Sequence, residues 1–225
     1  MQQQAMVFNR RNMMEYIDLS HSIENGMSYF PGDPEPRILP ANVAPPWRVT
    51  QLNIGTHTGT HIDAASHFVP NGKTIDQYSL ERFLLPGIVV PVLERNDDEP
   101  INAGAFNEYF AVLPAHGAVL IHTGWDRYWK TGRYLRHPYL LQEAVQLLVD
   151  AGVNIVGIDA LNVDSTVQGT DDAHATLLRD DVLIVENLTR LHQLLPGVVY
   201  QFSFLPLALS ELDGSPIRAT AWRGG

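Results

Sequence analysis

Short apolar segments rich in β-branched residues recur from residue 88 almost to the end of the chain. Segments of this length, bounded by turn-forming residues, are typical of strands buried inside a sheet. The five clearest are 88–90, 118–121, 153–158, 182–185 and 198–204. The sequence therefore predicts at least five buried strands.

The clearest helical pattern lies between the second and third of these segments. Pro138 stands near its first turn and Gly152 at its end, as the preferences of proline and glycine at helix termini lead us to expect. Its apolar face is formed by Leu141, Val145, Leu148 and Val149. Helices and strands are interspersed without regular βαβ alternation, which favours a mixed α/β fold over a doubly wound sheet.

A second, weaker helix is predicted to start at Asn102 and to stop before Pro114, because proline cannot continue a helix. The side chains expected to point inward from it are Phe106, Tyr109 or Phe110, and Leu113.

One domain is predicted for residues 15–225, after a polar lead-in of residues 1–14 that we expect to be partly disordered. The chain of 225 residues is 45% hydrophobic and 18% charged, as is usual for a folded domain. Its longest apolar run, 84–93, is interrupted by proline, and it is shorter than the ~20 residues of a membrane span. No signal-peptide core is recognised, so we expect a soluble, cytoplasmic protein.

The charge balance and the absence of cysteine exclude several kinds of site. The chain has 15 Lys and Arg residues against 25 Asp and Glu, a net charge of −10, and no cysteine. Without clustered basic residues, binding to a nucleic-acid backbone is not expected. Without cysteine there is no disulfide, no thiolate zinc site and no thiol nucleophile. Any metal must be held by imidazole nitrogen and carboxylate oxygen.

The densest chemical signal is a segment of eleven residues that contains three histidines and one aspartate. These residues are His57, His61, Asp63 and His67, and Gly55 and Gly59 lie among them. In an extended chain, His57, His61 and Asp63 would share one face. The set suits a divalent ion such as Zn²⁺ or Mn²⁺ with open positions for water and substrate. The alternative is a loop with three surface histidines.

Two later residues could supply further ligands, although their own surroundings leave this open. Glu186 ends an apolar strand, and it points either to solvent or to a charged group. His174 lies in a polar segment before that strand, and by itself it would more often be a surface or hydrogen-bonded histidine than a ligand.

The motif resembles that of the metal-dependent cyclase-type hydrolases, which include bacterial kynurenine formamidase and isatin hydrolase. The family pattern His-x-Gly-Thr-His-x-Asp-x-Pro-x-His is kept from His57 to His67 except that Ala65 replaces proline. The resemblance extends from about Tyr16 to the C-terminal region. It includes 30–34, 123–125, 137–138, 157–160, 205–207 and 213–216. At 160–164 the chain departs from the formamidases, which often have Pro-Ser there.

The resemblance implies a role for each motif residue. His57, His61 and Asp63 would bind one metal ion, and Asp63 would bridge to a second ion held by His174 and by Glu186, twelve residues further on. His67 would act as the general acid and base. The family relationship also implies a swivelling β/β/α fold, one or two Zn²⁺ or Mn²⁺ ions in each subunit, and a homodimer or larger homo-oligomer.

The ligand set predicts metal-activated water, and the resemblance adds the hypothesis that this water cleaves an amide, formamide or lactam of a small, aromatic metabolite. Candidate walls for such a substrate are Phe30, Trp47, Phe68 and Trp125. Asp159 and Asp164 are either hydrogen-bond partners of the histidines or turn residues. His21, His116, His122, His137 and His192 are assigned structural or solvated positions. The alternatives are a cyclase or lactonase, and a homologue that binds metal or a small molecule without turnover.

Overall fold

A computed structural model describes residues 15–223, so the predicted lead-in at 1–14 lies outside the described residues. The strands are β1 (Tyr16–Asp18), β2 (Arg37–Pro40), β3 (Thr50–Asn53), β4 (His61–Asp63), β5 (Leu84–Pro91), β6 (Pro100–Ile101), β7 (Ala118–His122), β8 (Tyr139–Leu140), β9 (Ile155–Ile158), β10 (Leu183–Glu186), β11 (Tyr200–Ser203), β12 (Gly214–Pro216) and β13 (Thr220–Trp222). The α-helices are α1 (Gln142–Asp150) and α2 (Asp172–Arg179). Short 3-10 helices cover Ala65–His67, Ile75–Gln77, Leu80–Arg82, Ala103–Val112, Trp125–Tyr128, Gly132–Arg136 and Leu191–Gln193.

In the described part of the chain, nine strands form one sheet in the order β1-β13-β11-β5-β7-β9-β10-β4-β12. The four strands β5, β7, β9 and β10 are parallel and lie in its centre, whereas the strands on both sides pair antiparallel. The prediction of a mixed α/β fold is confirmed. The five apolar segments correspond to β5, β7, β9, β10 and β11, within a few residues at each end.

The central strands are apolar except at the ends of β7 and β10, because both faces of the sheet are covered. Val119 packs with α1 and α2 on one face, whereas its neighbour Leu120 packs on the other face with Phe83 and Phe202. All of these side chains are buried. Alternate residues of one strand therefore belong to two different core layers, which explains the unbroken apolar pattern.

The predicted helix after Pro138 begins later than expected. Residues Tyr139–Leu140 pair with β6 as strand β8, so that α1 starts only at Gln142. Val145 and Leu148 are buried as predicted, and Gly152 follows the helix with a φ of 72°. A left-handed φ of this kind is common for glycine just after a helix.

The weaker helix is present as 3-10 turns, Ala103–Val112, after Asn102. Phe106 is fully buried and Tyr109 packs against the core, whereas Phe110 is 62% exposed. Of the two alternatives at this position, Tyr109 is therefore the one that faces inward. Helix α2 was not predicted, because only its Leu177 and Leu178 provide a short apolar pattern.

Gly87 allows β5 and β7 to approach each other closely. A Cβ at this position would overlap the carbonyl oxygen of Ala118 and lie 2.9 Å from the Ala118 Cβ. We expect Gly87→Ala to lower the free energy of unfolding by about 1–3 kcal/mol, because backbone atoms of a central strand have little room to shift. Urea denaturation measures this effect. Gly132→Ala, where a Cβ meets nothing within 4 Å, is the control, and an equal loss in both variants would contradict the explanation.

Within residues 15–223, no helix combines the length and the apolar character that crossing a membrane requires.

Candidate metal centre

The motif segment forms a turn, a short strand and a 3-10 turn rather than one long strand. Gly59 turns the chain with a φ of 66° before β4, so His57 reaches the site from the turn. His61 and Asp63 lie on one face of β4. The expected alternation therefore holds for these two residues and is wrong for His57. The last histidine, His67, ends the 3-10 helix after β4 and is also off the strand.

Sheet pairing places Glu186 beside the motif. Strand β10 pairs with β4 so that Glu186 is opposite His61, and both side chains are buried. Helix α2 carries His174, which is buried as well. Of the two interpretations considered for Glu186, exposure to solvent does not hold, because its carboxylate is buried and faces the imidazoles of His61 and His174.

The two carboxylates lie between three imidazoles. The Oδ1 atom of Asp63 is 2.7 Å from Nδ1 of His57 and 3.3 Å from Nε2 of His61. Its Oδ2 atom is 3.5 Å from Nε2 of His174. Glu186 reaches Nε2 of His61 at 3.5 Å and Nε2 of His174 at 3.4 Å. The structure thus brings all five predicted ligands together around Asp63, in two groups that could each hold an ion.

Hydrogen bonds at the far side of two rings set their orientation. Nδ1 of His61 faces the carbonyl oxygen of Gly59 at 2.8 Å, and Nδ1 of His174 faces Oδ2 of Asp164 at 2.8 Å. Asp164 also accepts the backbone N–H groups of Ala173 and His174 at the start of α2. A neutral ring that donates from Nδ1 keeps its Nε2 lone pair free to bind a metal ion.

Asp159, the other aspartate considered as a hydrogen-bond partner of the histidines, instead connects two strand ends. Its carboxylate accepts hydrogen bonds from Thr123 and Gly124, 2.6 to 2.8 Å away, and so joins the ends of β7 and β9. Burial raises the pKa of Asp159 to about 7, although these donors oppose the shift.

The electrostatics of the site favour positive charge. Burial alone would lower the pKa of His57, but the Asp63 and Asp213 carboxylates raise it to about 10. Burial opposes protonation of His174 too, yet Asp164, Asp63 and Glu186 raise the pKa of its imidazole. In the absence of a cation, protons therefore accumulate here, and a metal ion would displace them on binding.

The donor set fits a divalent metal. Within residues 15–223, Oδ2 of Asp63 is buried and accepts no hydrogen bond of good geometry, although it lies 3.5 Å from Nε2 of His174. A buried carboxylate oxygen that is incompletely paired is costly unless a further ligand satisfies it. Imidazole nitrogen and carboxylate oxygen without thiolate suit Zn²⁺ or Mn²⁺. The residues present therefore fit the predicted cofactor.

His67 lines a cavity of about 320 Å³, and the five predicted ligands line the same cavity. Its ring is 4.0 Å from that of His57 and 5.8 Å from that of His174. Burial lowers the pKa of His67 more than the Asp63 carboxylate raises it, which favours a neutral imidazole. Ala65, where the family pattern has proline, donates its backbone N–H to the Tyr78 hydroxyl at 3.3 Å. Proline would lack this donor.

The four aromatic residues predicted as substrate walls lie in different surroundings. Phe30 and Phe68 border the cavity, and Phe68 stacks on His174 at 5.0 Å. Trp125 does not, because its side chain is fully buried in the core against Tyr128. Trp47 is 73% exposed between β3 and the cis Pro45-Pro46 bond and also lies away from the cavity of its own chain. For Trp125 the prediction is wrong, since large aromatics are commonly core residues.

Asp213 is a site residue that the motif did not reveal. Its Oδ2 atom is 3.1 Å from Nε2 of His57 and 3.5 Å from Nδ1 of His67. It stands 146 residues after His67 in the sequence, and its only signal was its place in the resembling segment 213–216.

The sequence profile of a family described as putative cyclases matches residues 17–165. Kynurenine formamidase of Geobacillus thermodenitrificans is 31% identical over 224 residues, which cover 95% of this chain and 100% of that protein. The enzyme of the same name from Bordetella avium is 30% identical and covers 92% and 97%. Isatin hydrolase A from Labrenzia aggregata has a similar structure, with a TM-score of 0.83, 24% identity and 94% of each chain covered. A solved potential metal-dependent hydrolase with cyclase activity gives a TM-score of 0.79 at 24% identity, covering 95% and 100%.

Proposed function

The chain belongs to the putative cyclase family, and we propose that it is a metal-dependent hydrolase that cleaves an amide, formamide or lactam C–N bond. The proposed substrate is a small aromatic metabolite, as the names of the formamidase and isatin hydrolase relatives suggest. Two aromatic side chains at the cavity, Phe30 and Phe68, support a planar substrate.

The observation that carries this proposal is the position of Asp63. One of its oxygens faces His57 and His61, and the other lies 3.5 Å from Nε2 of His174. A buried carboxylate that reaches two separate imidazole groups is the arrangement expected of a bridging metal ligand. We therefore propose that His57, His61, Asp63, His174 and Glu186 hold one or two Zn²⁺ or Mn²⁺ ions.

A bound divalent ion would supply Lewis-acid activation of a substrate carbonyl and of a water molecule near neutral pH. His67 would take the proton released from that water and donate it to the departing nitrogen, since it lies at the cavity wall and is not one of the five ligands. Phe30 and Phe68 would hold the substrate ring and exclude bulk water. Asp164 would keep His174 in the orientation that binding requires.

We also propose that the protein is a homodimer or a larger homo-oligomer. Strands β2 and β3 form a separate two-stranded sheet, and several apolar side chains of this sheet and of the loop between its strands are exposed. Leu39, Leu52 and Trp47 are 52%, 57% and 73% exposed. An isolated hairpin of this kind is marginally stable in water and favours burial against another surface. The molar mass from light scattering distinguishes an oligomer from a monomer.

The test is a substrate panel with and without metal. After complete chelation, we expect no hydrolysis of N-formylkynurenine, isatin or a simple lactone. Restoring Zn²⁺ or Mn²⁺ is expected to restore cleavage of at least one of the two C–N substrates. Turnover of the lactone alone would support a lactonase instead, and stoichiometric metal with no turnover would support a non-catalytic binding protein. Activity that survives complete chelation would contradict the metal requirement.

A further inference from the structure

Asp213 contacts both the ligand His57 and the proposed acid and base His67. We propose that Asp213 is a positioning residue for the site. It accepts a hydrogen bond from Nε2–H of His57, which leaves the Nδ1 lone pair of that ring for the metal ion, and it holds the His67 ring alongside. This inference rests on the proposed function, because it requires an ion next to Asp63.

The His57 ring lies between two carboxylates. Its Nδ1 atom is 2.7 Å from Oδ1 of Asp63, and its Nε2 atom is 3.1 Å from Oδ2 of Asp213. A neutral imidazole has one N–H group and one lone pair, so only one nitrogen can bind an ion while the other donates. Since the same Asp63 oxygen also faces Nε2 of His61 at 3.3 Å, the ion belongs on the Nδ1 side of His57. The proton therefore belongs on Nε2, with Asp213 as its acceptor.

The backbone fixes Asp213 relative to Asp63. Its carbonyl oxygen accepts the N–H of Ala64 at 2.8 Å, and the next residue, Gly214, pairs with Asp63 between β12 and β4. The two carboxylates are thus attached to neighbouring strands on opposite sides of the His57 ring. Their separation does not depend on a mobile loop.

Gly214 makes room for the ring. A Cβ at this position would lie 2.9 Å from Cε1 of His57 and 2.8 Å from the carbonyl oxygen of Ile62. Both contacts are closer than real side chains make, and the second involves strand backbone. The glycine after Asp213 therefore allows the imidazole to lie against β12, where its Nε2 atom meets the carboxylate.

All three imidazoles of the ligand set then have an acceptor at the nitrogen that does not bind metal. The acceptors are the carbonyl oxygen of Gly59 for His61, Asp164 for His174 and Asp213 for His57. The Asp213 side chain is 41% exposed, whereas that of Asp164 is 2% exposed. Asp213 can therefore be substituted with less disturbance to the fold, and it alone of these acceptors also faces His67.

The experiment measures Zn²⁺ affinity by competition with a chelator, in the full chain and without substrate. We expect Asp213→Ala to weaken Zn²⁺ binding about 10–100-fold, as is typical when an outer partner of a ligand is lost, with an unchanged number of bound ions. Asp213→Asn keeps an acceptor oxygen and is expected to lose less affinity than the alanine variant. Glu211→Gln removes a charge from an exposed side chain two residues away and is expected to leave the affinity unchanged.

A second readout separates positioning from a general structural effect. In the Zn²⁺-loaded protein, NMR should detect an imidazole Nε2–H proton of His57 in the wild type and in Asp213→Asn, but not in Asp213→Ala. Asp213→Ser, too short to reach the ring, repeats the test if the alanine variant does not fold.

Three results would overturn the proposal. They are an unchanged affinity in Asp213→Ala, the loss of a whole equivalent of Zn²⁺ (which would make Asp213 a ligand), and a His57 proton on Nδ1 in the loaded protein. Because Zn²⁺ affinity is measured without substrate, the two proposals can fail separately. A protein that shows the expected Zn²⁺ affinities but hydrolyses none of the substrates refutes only the hydrolase proposal. A hydrolase whose Asp213 variants do not show these affinities refutes only the positioning role.

Discussion

Asp63→Asn is expected to weaken Zn²⁺ binding by more than the roughly 10–100-fold seen when an outer partner is lost, and to lower kcat/KM by at least about 10³-fold. Single groups that stabilise transition-state charge already contribute roughly 10²–10³ in kcat. Asp63 faces His57 and His61 with one oxygen and His174 with the other, so its loss affects both ligand groups at once. Metal analysis and steady-state kinetics on the same preparation measure the two effects.

Asparagine has the shape of aspartate, so the variant changes the charge with little change in packing at this buried position. Asp180→Asn, at an exposed residue just after α2, removes the same charge outside the site and is expected to bind Zn²⁺ normally. Full Zn²⁺ occupancy and full turnover in Asp63→Asn would refute a bridging role for this carboxylate.

His67→Ala is expected to lower kcat by about 10²–10⁴-fold, the usual contribution of a positioned general acid or base, while Zn²⁺ binding is retained. The reason is the separation of roles around the cavity. The ring centroid of His67 lies 4.0 Å from that of His57, but His67 belongs to neither of the two ligand groups that contain Asp63. Steady-state kinetics measure kcat, and metal analysis of the same preparation measures the Zn²⁺ content.

His116→Asn serves as the control for loss of an imidazole. His116 is exposed, and asparagine tolerates its φ of 61° better than alanine would. A parallel loss of Zn²⁺ and activity in His67→Ala would instead place this residue among the ligands, with His57 and Asp213 as the group that it completes.

The central strands could be predicted from sequence because burial on both faces produces unbroken apolar segments. Val119 and Leu120 illustrate this, since each faces a different core layer. The short strands at and next to the edges of the sheet show no such pattern: β1, β12 and β13 contain three residues each. The start of α1 was misplaced because the pairing of Tyr139–Leu140 with β6 is a tertiary interaction that Pro138 does not reveal.

The site was predictable to the extent that it lies in one segment. His61 and Asp63 occupy one strand, so their shared face follows from the period of a β-strand. His174 and Glu186 could be assigned only through the family resemblance, because α2 and the pairing of β10 with β4 bring them in from far along the chain. Asp213 could not be assigned a contact at all, since its approach to His57 depends on the pairing of β12 with β4.

The aromatic residues show the same limit of prediction from sequence. Nothing in the sequence distinguishes Phe68, which lies against His174 at the cavity, from Trp125, which is fully buried in the core. Both follow motif residues closely. The difference arises from the packing of Trp125 beneath the Gly132–Arg136 turn, where its indole N–H donates to the carbonyl oxygen of Arg133 at 3.3 Å.

The most direct test of the proposed metal centre is an anomalous difference map from crystals of the Zn²⁺-restored protein, collected at the zinc absorption edge. We predict one or two strong peaks within bonding distance of the Asp63 carboxylate. One is expected beside His57 and His61, and any second peak beside His174 and Glu186. A map from catalytically active crystals with no peak next to Asp63, or with zinc held only by other residues, would contradict the account.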